Sequence, residues 1–204
     1  MTDPYRQAGV DYDVLDAAKR LAMNAARATS EQLKAHGGRA ADESRGEPAF
    51  VFSLGEERFA FVLECLGTKS LLARQYQEQT GADHFHAVGV DSVAAIVNDL
   101  CCVGALPLVA GAYFATGHPD WYADEARFAS LVAGWRDACE LAGATWGGGE
   151  SPSLPGLISE TDVEIAGSAV GRLPRGVEPI LGQDLAAGDE IVLLASTGLH
   201  TNGA

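Results

Sequence analysis

The feature that most constrains this chain is the stretch 88–104. It is apolar almost all the way round, with Val90, Val93, Ile96, Val97, Leu100 and Val103 leaving no continuous polar stripe. A helix of this kind must be covered on nearly every side, so the rest of the chain has to build a layer against it. Suitable material is present. Two apolar runs, 50–54 and 58–63, flank Gly55-Glu56-Glu57 as the arms of a hairpin would, and 107–116 and 162–173 read as longer strands. A short buried strand is expected over 190–195. Helices are expected over 13–33, stopped by His36-Gly37-Gly38, over 70–79 and over 122–142. Strands alternating with helices define an α/β or α+β domain. No run is expected to be long enough to span a membrane.

Composition narrows the function classes. With 47% apolar and 21% charged residues, the 204-residue chain is that of a globular protein rather than a disordered one. Its 28 acidic against 14 basic residues give a net charge of −14, which repels phosphate backbones and anionic lipid heads. Nucleic acid and membranes are therefore excluded as expected partners, and an anionic substrate would need metal ions or backbone N–H groups to offset the field. The first residues lack a basic segment followed by an apolar one, so a cytoplasmic location is expected. Cys65, Cys101, Cys102 and Cys139 show no CxxC spacing and read as buried free thiols.

Neither a GxxxxGK[ST] phosphate loop nor a GxSxG nucleophile elbow is present. His84 and His86 could share a metal, but no third ligand stands at a suitable spacing, and an exposed loop is the plainer reading. The polar exceptions on the apolar helix carry more information. Asp91 and Asn98 fall on one helical face about two turns, or roughly 10 Å, apart, with Asp99 beside them. Two readings are open: a helix cap plus an Asn–Asp pair satisfied by backbone, or oxygen donors converging on a hard cation such as Mg²⁺ with its nucleotide phosphates. In Gly147-Gly148-Gly149-Glu150 the glycines would let backbone approach a ligand, with Glu150 placed as ligand or base. Thr197, His200 and Asn202 crowd a turn after a strand, a common place for anion or substrate binding.

Several strings, in order, resemble the aminoimidazole ribonucleotide synthetase (phosphoribosylformylglycinamidine cyclo-ligase) family. They are Tyr5-Arg-Gln-Ala-Gly-Val-Asp11, Leu66-Gly-Thr-Lys69, Gly89-Val-Asp91 with Val97-Asn-Asp-Leu100, Gly104-Ala-Leu-Pro-Leu108, Tyr113-Phe-Ala-Thr-Gly117, Gly148-Gly-Glu150 with Leu154-Pro-Gly156, and Ala195-Ser-Thr-Gly-Leu-His-Thr-Asn-Gly203. The resemblance implies an α/β (α+β) N-terminal domain with a mixed sheet, helices on one side and a barrel completed across a homodimer, the C-terminal domain being mostly absent. It implies residues 1–175 as the ATP-binding and dimerisation domain, and 176–204 as a linker with the truncated start of the C-terminal domain. The implied activity is a ligase of purine biosynthesis, closing formylglycinamidine ribonucleotide to aminoimidazole ribonucleotide with ATP and Mg²⁺ and releasing ADP and phosphate. Carried over residue by residue, Glu64, Asp91, Asn98, Asp99 and Glu150 are expected metal ligands, and Lys69, Asn98, Asp99, Gly148, Gly149 and Asn202 nucleotide contacts. Asp91, Glu150 and His200 are the expected catalytic groups. The sequence departs from the family pattern at Glu64-Cys65, where Asp-Gly is usual, and at Ser151-Pro-Ser-Leu154, where Thr-Ala-Glu-Met is usual. The alternatives are a superfamily kinase or ligase with another acceptor, and a non-catalytic nucleotide-binding paralogue.

Overall fold

The computed structural model describes residues 6, 9, 11–198 and 200. Along the chain run α1 (Tyr12–Arg27), β1 (Gly38–Ala40), β2 (Phe50–Leu54), β3 (Glu57–Cys65), α2 (Lys69–Thr80), α3 (Phe85–Cys102), β4 (Leu106–Thr116), α4 (Asp120–Ala123), α5 (Glu125–Ala142), β5 (Thr145–Glu150) and β6 (Val163–Arg172), with short 3₁₀ turns at Ser30–His36 and Asp42–Ser44. The strands form one six-stranded sheet in the order β1-β2-β3-β6-β4-β5. It is mixed: β4 and β5 are parallel, and every other neighbouring pair is antiparallel.

The sheet is covered on one side. Along β6, Val163, Ile165, Gly167, Ala169 and Gly171 are buried and alternate with more open residues, as a half-covered strand must. The helix α3 expected from its apolar girdle lies over this side, with Phe85, Val93, Ile96 and Leu100 almost fully buried. By length and composition α3 would pass for a membrane span, contrary to the expectation that no run would, but these residues are spent on the core. Its approach to α5 is set by two glycines. A Cβ on Gly89 would stand 2.4 Å from the Leu131 carbonyl oxygen, and one on Gly134 only 1.9 Å from that of His86. Trp135, fully buried, packs edge-on against Phe114 of β4 at 5.3 Å between ring centroids.

Four expectations need correction. The helix expected over 122–142 breaks at Asp124, whose carboxylate accepts the Arg127 N–H at 3.1 Å and caps α5. The helix expected over 13–33 ends as α1 at Arg27 and tightens into the first 3₁₀ turn; α1 buries none of its residues. The strand expected over 190–195 does not form: the segment pairs with neither edge of the described sheet, and Ile191, Val192, Leu193 and Leu194 are exposed, since an apolar run is a strand only where it finds a partner. Of the four thiols, only Cys139 is buried; Cys65, Cys101 and Cys102 are exposed, since they stand at the ends of β3 and α3, where cover runs out.

Beyond β6 the chain runs back over the sheet as a strap. Arg175 Nε donates to Glu57 at 2.7 Å, Arg58 Nη1 donates to the Val177 carbonyl at 2.9 Å, and the Ile180 N–H donates to the Val103 carbonyl at 3.2 Å. Leu181 then packs against the core.

Candidate functional site

The site residues come from four elements. Gly67, with φ of +68°, turns the chain out of β3 into α2, so that Lys69 opens the helix. Its Nζ reaches Asp91 Oδ2 on α3 at 2.5 Å, and the same ammonium meets the His200 carbonyl. The Lys69 and Asp91 side chains are 17% and 24% exposed, which makes this a largely covered, charge-assisted contact. Asp91 is therefore not a helix cap: it lies inside α3, and its charge is met by a lysine from the neighbouring helix.

Two turns further along α3, burial first and then the negative charge of Glu64 raise the Asp99 carboxyl above its ordinary value. Glu64 lies on the helix-covered side of β3, in step with buried Ala60 and Val62 and opposite Gly167 of β6, while its carboxylate accepts the Cys65 N–H at 3.2 Å. The negative charge of Glu64 thus acts on the Asp99 carboxyl from the neighbouring strand. Asn98 is exposed on the same helix.

Glu150 stands apart. Gly149 pairs with Ala112 in the row that runs through Gly167 to Glu64, which places the end of β5 three strand spacings, about 14 Å, from Glu64. Glu150 pairs with Tyr113, one position on, and so addresses the helix-free side. The glycine run lies in a strand, β5. Gly149 has no room for a Cβ, which would fall 2.0 Å from the Ala112 carbonyl oxygen, and Gly148 adopts φ of +121°. Contact with β4 therefore accounts for Gly149, and the positive φ for Gly148. Gly148 uses its carbonyl to accept the Trp146 indole N–H at 2.9 Å.

The structure thus joins Lys69 to Asp91, brings Glu64 within electrostatic reach of Asp99, sets the His200 carbonyl against Lys69, and leaves Glu150, Gly148 and Gly149 at the far strand. Asn202 lies outside the described residues. Among the described residues no three of His, Cys, Asp and Glu gather as a metal cluster. His86 instead pairs with Asp137 at 2.9 Å, and His84 packs edge-on to Tyr76. One neighbour of the site was missed from sequence. Glu164 shares the helix-free side with Cys65; burial, then Glu164, then Glu64 raise the Cys65 thiol, and burial raises the Glu164 carboxyl. Strict alternation along β6 was the available signal, since it puts Glu164 opposite in facing to the buried set.

Residues 46–173, most of the described sheet and its helices, match the AIR synthase related protein N-terminal domain. The chain belongs to the AIR synthase related protein family. It is 38% identical over 205 residues to a phosphoribosylformylglycinamidine cyclo-ligase of Sorangium cellulosum, covering all of this chain and 54% of that protein. It is 34% identical over 199 residues to the protein of the same name from Thermococcus gammatolerans, covering 98% of this chain and 55% of that protein. The chain thus spans about half the length of these curated relatives. Among solved structures, tt0281 from Thermus thermophilus aligns over 66% of this chain and 38% of its own, with a TM-score of 0.51 at 19% identity, a likeness of fold.

Proposed function

We propose that this chain carries the nucleotide-binding part of a phosphoribosylformylglycinamidine cyclo-ligase, which closes formylglycinamidine ribonucleotide to aminoimidazole ribonucleotide with conversion of ATP to ADP and phosphate. The observation that carries the reading is its identity of 38%, along its whole length, to a relative of that name. In this reaction the terminal phosphoryl group of ATP passes to the formyl oxygen, the amidine nitrogen bonds to the formyl carbon, and the oxygen leaves with the phosphate. Such chemistry asks a protein for positioning and for neutralisation of charge.

The site suits those demands. The start of α2 combines an ammonium with the positive end of a helix dipole, an arrangement that attracts phosphate oxygens. In the free protein Asp91 occupies Lys69, so ATP phosphates would compete for that contact. Glu64 and Asp99 offer hard oxygen donors whose mutual repulsion a cation relieves, and Mg²⁺ needs only one or two carboxylates when phosphates and water complete its shell. These residues fit Mg²⁺ on that ground, with Asn98 next to Asp99 on α3 and Asp91 two turns away toward Lys69; bound there, the ion would neutralise phosphate charge. Glu150, about 14 Å from Glu64 and on the helix-free side, would contact substrate rather than this ion, and His200 and Asn202, with Gly148 and Gly149, would contact nucleotide or substrate.

The helix-free side of the sheet exposes Phe61, Leu63, Leu106 and Val109, an apolar surface suited to a second copy of the chain. A homodimer closed through this side would complete a barrel with the nucleotide near the interface, residues 1–175 forming the ATP-binding and dimerisation domain and 176–204 the linker into a second domain. A cytoplasmic location fits this role. A second reading, a related kinase or ligase with another acceptor, is favoured by the altered segment Ser151-Pro-Ser-Leu154, which follows β5 directly.

The test follows ADP release from Mg²⁺-ATP and formylglycinamidine ribonucleotide by the whole protein that contains this chain, together with formation of aminoimidazole ribonucleotide. Matched release of both products is expected, and Lys69→Met should remove most of it without unfolding the protein. ADP release with a different acceptor, or none from folded protein, would sink the cyclo-ligase assignment.

A further inference from the structure

At the opposite end of β3 from the carboxylates, a cleft of about 300 Å³ opens between strands β1 to β3 and the strap. Its floor is a row set by the sheet register: Arg39 of β1 pairs with Ser53 of β2, which pairs with Arg58 of β3. Directly paired residues project to the same side, and this row is in step with the Val51–Ala60 pair, so all three side chains face the side on which the cleft lies. Neighbouring strands are about 4.8 Å apart, which puts the two arginine backbones about 10 Å from each other with a hydroxyl midway. Two guanidinium arms at that span can close on one tetrahedral anion, and the serine O–H can donate to it from below.

The present partners of the two arginines differ. Arg39 has neither a hydrogen bond nor an ion pair among the described residues. Arg58 is held from the strap, with Nη2 2.7 Å from Glu178 Oε1 and Nη1 donating to the Val177 carbonyl. The Glu178 side chain is 71% exposed, so the pair is weak and open to exchange. Glu43 and Glu56 stand exposed at the rim, where solvent screens them, while the floor itself is basic.

We propose that Arg39, Ser53 and Arg58 form a site for a phosphate dianion, free or as a monoester, and that Glu178 is the internal carboxylate an incoming phosphate displaces from Arg58. Binding there loosens the strap, because the ion pair that ties Glu178 to the Arg58 side chain is given up. Six residues along β3, about 20 Å, separate Arg58 from Glu64, so one small molecule does not reach both places, and the proposal stands whether or not the cyclo-ligase reading holds.

The experiment is calorimetric titration of the full chain with inorganic phosphate and, separately, with adenosine 5′-monophosphate. Arg39→Gln, a residue with no partner to lose, should weaken binding about tenfold at an unchanged melting temperature. Glu178→Gln should tighten it about two- to fivefold by removing the competitor. Saturating phosphate should also speed hydrogen exchange at the Ile180 amide. Binding of phosphate alone assigns the site to the free ion, and binding of the monoester assigns it to a phosphorylated metabolite; either supports it. The proposal is overturned if neither probe binds at millimolar concentration, or if Arg39→Gln or Glu178→Gln leaves the affinity unchanged.

Discussion

The closeness of α3 and α5 makes Gly134 the most exacting position in the fold. Replacing it by alanine would put a methyl carbon 1.9 Å from the His86 carbonyl oxygen, a backbone atom that cannot rotate away. Ordinary carbon–oxygen contact is about 3.3 Å, so the two helices would have to part by more than an ångström across a close-packed seam. Overpacking of this severity costs about 3 to 4 kcal/mol, and alanine returns about 1 kcal/mol through its better helix propensity, leaving a net loss of about 2 to 3 kcal/mol. For a domain of this size that corresponds to a fall in melting temperature of about 4 to 12 °C, read by circular dichroism alongside the parent protein. Gly89→Ala strains the same seam from the other side, 2.4 Å from the Leu131 carbonyl oxygen. Once the helices have parted, the second methyl meets less resistance, so the double variant should lose less than the sum of the singles. A fall below about 2 °C for Gly134→Ala, or strict additivity in the double variant, would refute the seam as the determinant of this packing.

Two further outcomes test other parts of the molecule. Burial raises the Glu164 carboxyl above its ordinary 4.5, so the ionised form penalises the folded state; the penalty is absent below that ordinary value and complete above the raised one. Glu164→Gln should therefore raise the melting temperature at neutral pH and lose that advantage as the pH falls below 4.5, and an equal gain at both ends of the range would contradict burial as the cause. On the helix-free side, Leu63 is 71% exposed, so if the proposed dimer closes there, Leu63→Glu should leave folding intact while shifting sedimentation from dimer to monomer; a parent protein that sediments as a monomer, or a dimer that survives the change, would overturn that contact.

How much the sequence revealed depended on whether the deciding contact was local. Helix α3 could be read directly, because an apolar girdle admits few alternatives, and the hairpin of β2 and β3 carried its turn residues between two apolar runs. Strand β5 was hidden. Glycines argue against a strand until the neighbouring backbone of β4 is seen to exclude any side chain at Gly149. The break at Asp124 had a local signal, a capping carboxylate three residues before Arg127, which the helical periodicity on both sides masked. Residues 190–195 have the pattern of a strand, but pattern names no partner, and they pair with neither described edge. At the site, the residue types were legible and their grouping was not. The contact of Lys69 with Asp91 depends on how α2 leans on α3, and the separation of Glu150 from Glu64 depends on a strand order that sequence spacing does not encode.

That strand order also governs when the core can form. The middle of the sheet is the pairing of β3 with β6, whose partners Phe59 and Arg172 lie more than a hundred residues apart in the chain, and β6 is the last strand of the described sheet to be made. At a synthesis rate of about 5 to 20 residues per second, roughly 5 to 20 s pass between the emergence of β3 and that of β6. For more than half of that interval α3 has been made but lacks the strand against which Ile96 will rest, and its apolar girdle faces whatever else is near the ribosome. The interior of this protein is thus closed by one late, long-range event, and the nascent chain must keep its most apolar helix from other partners until that event occurs.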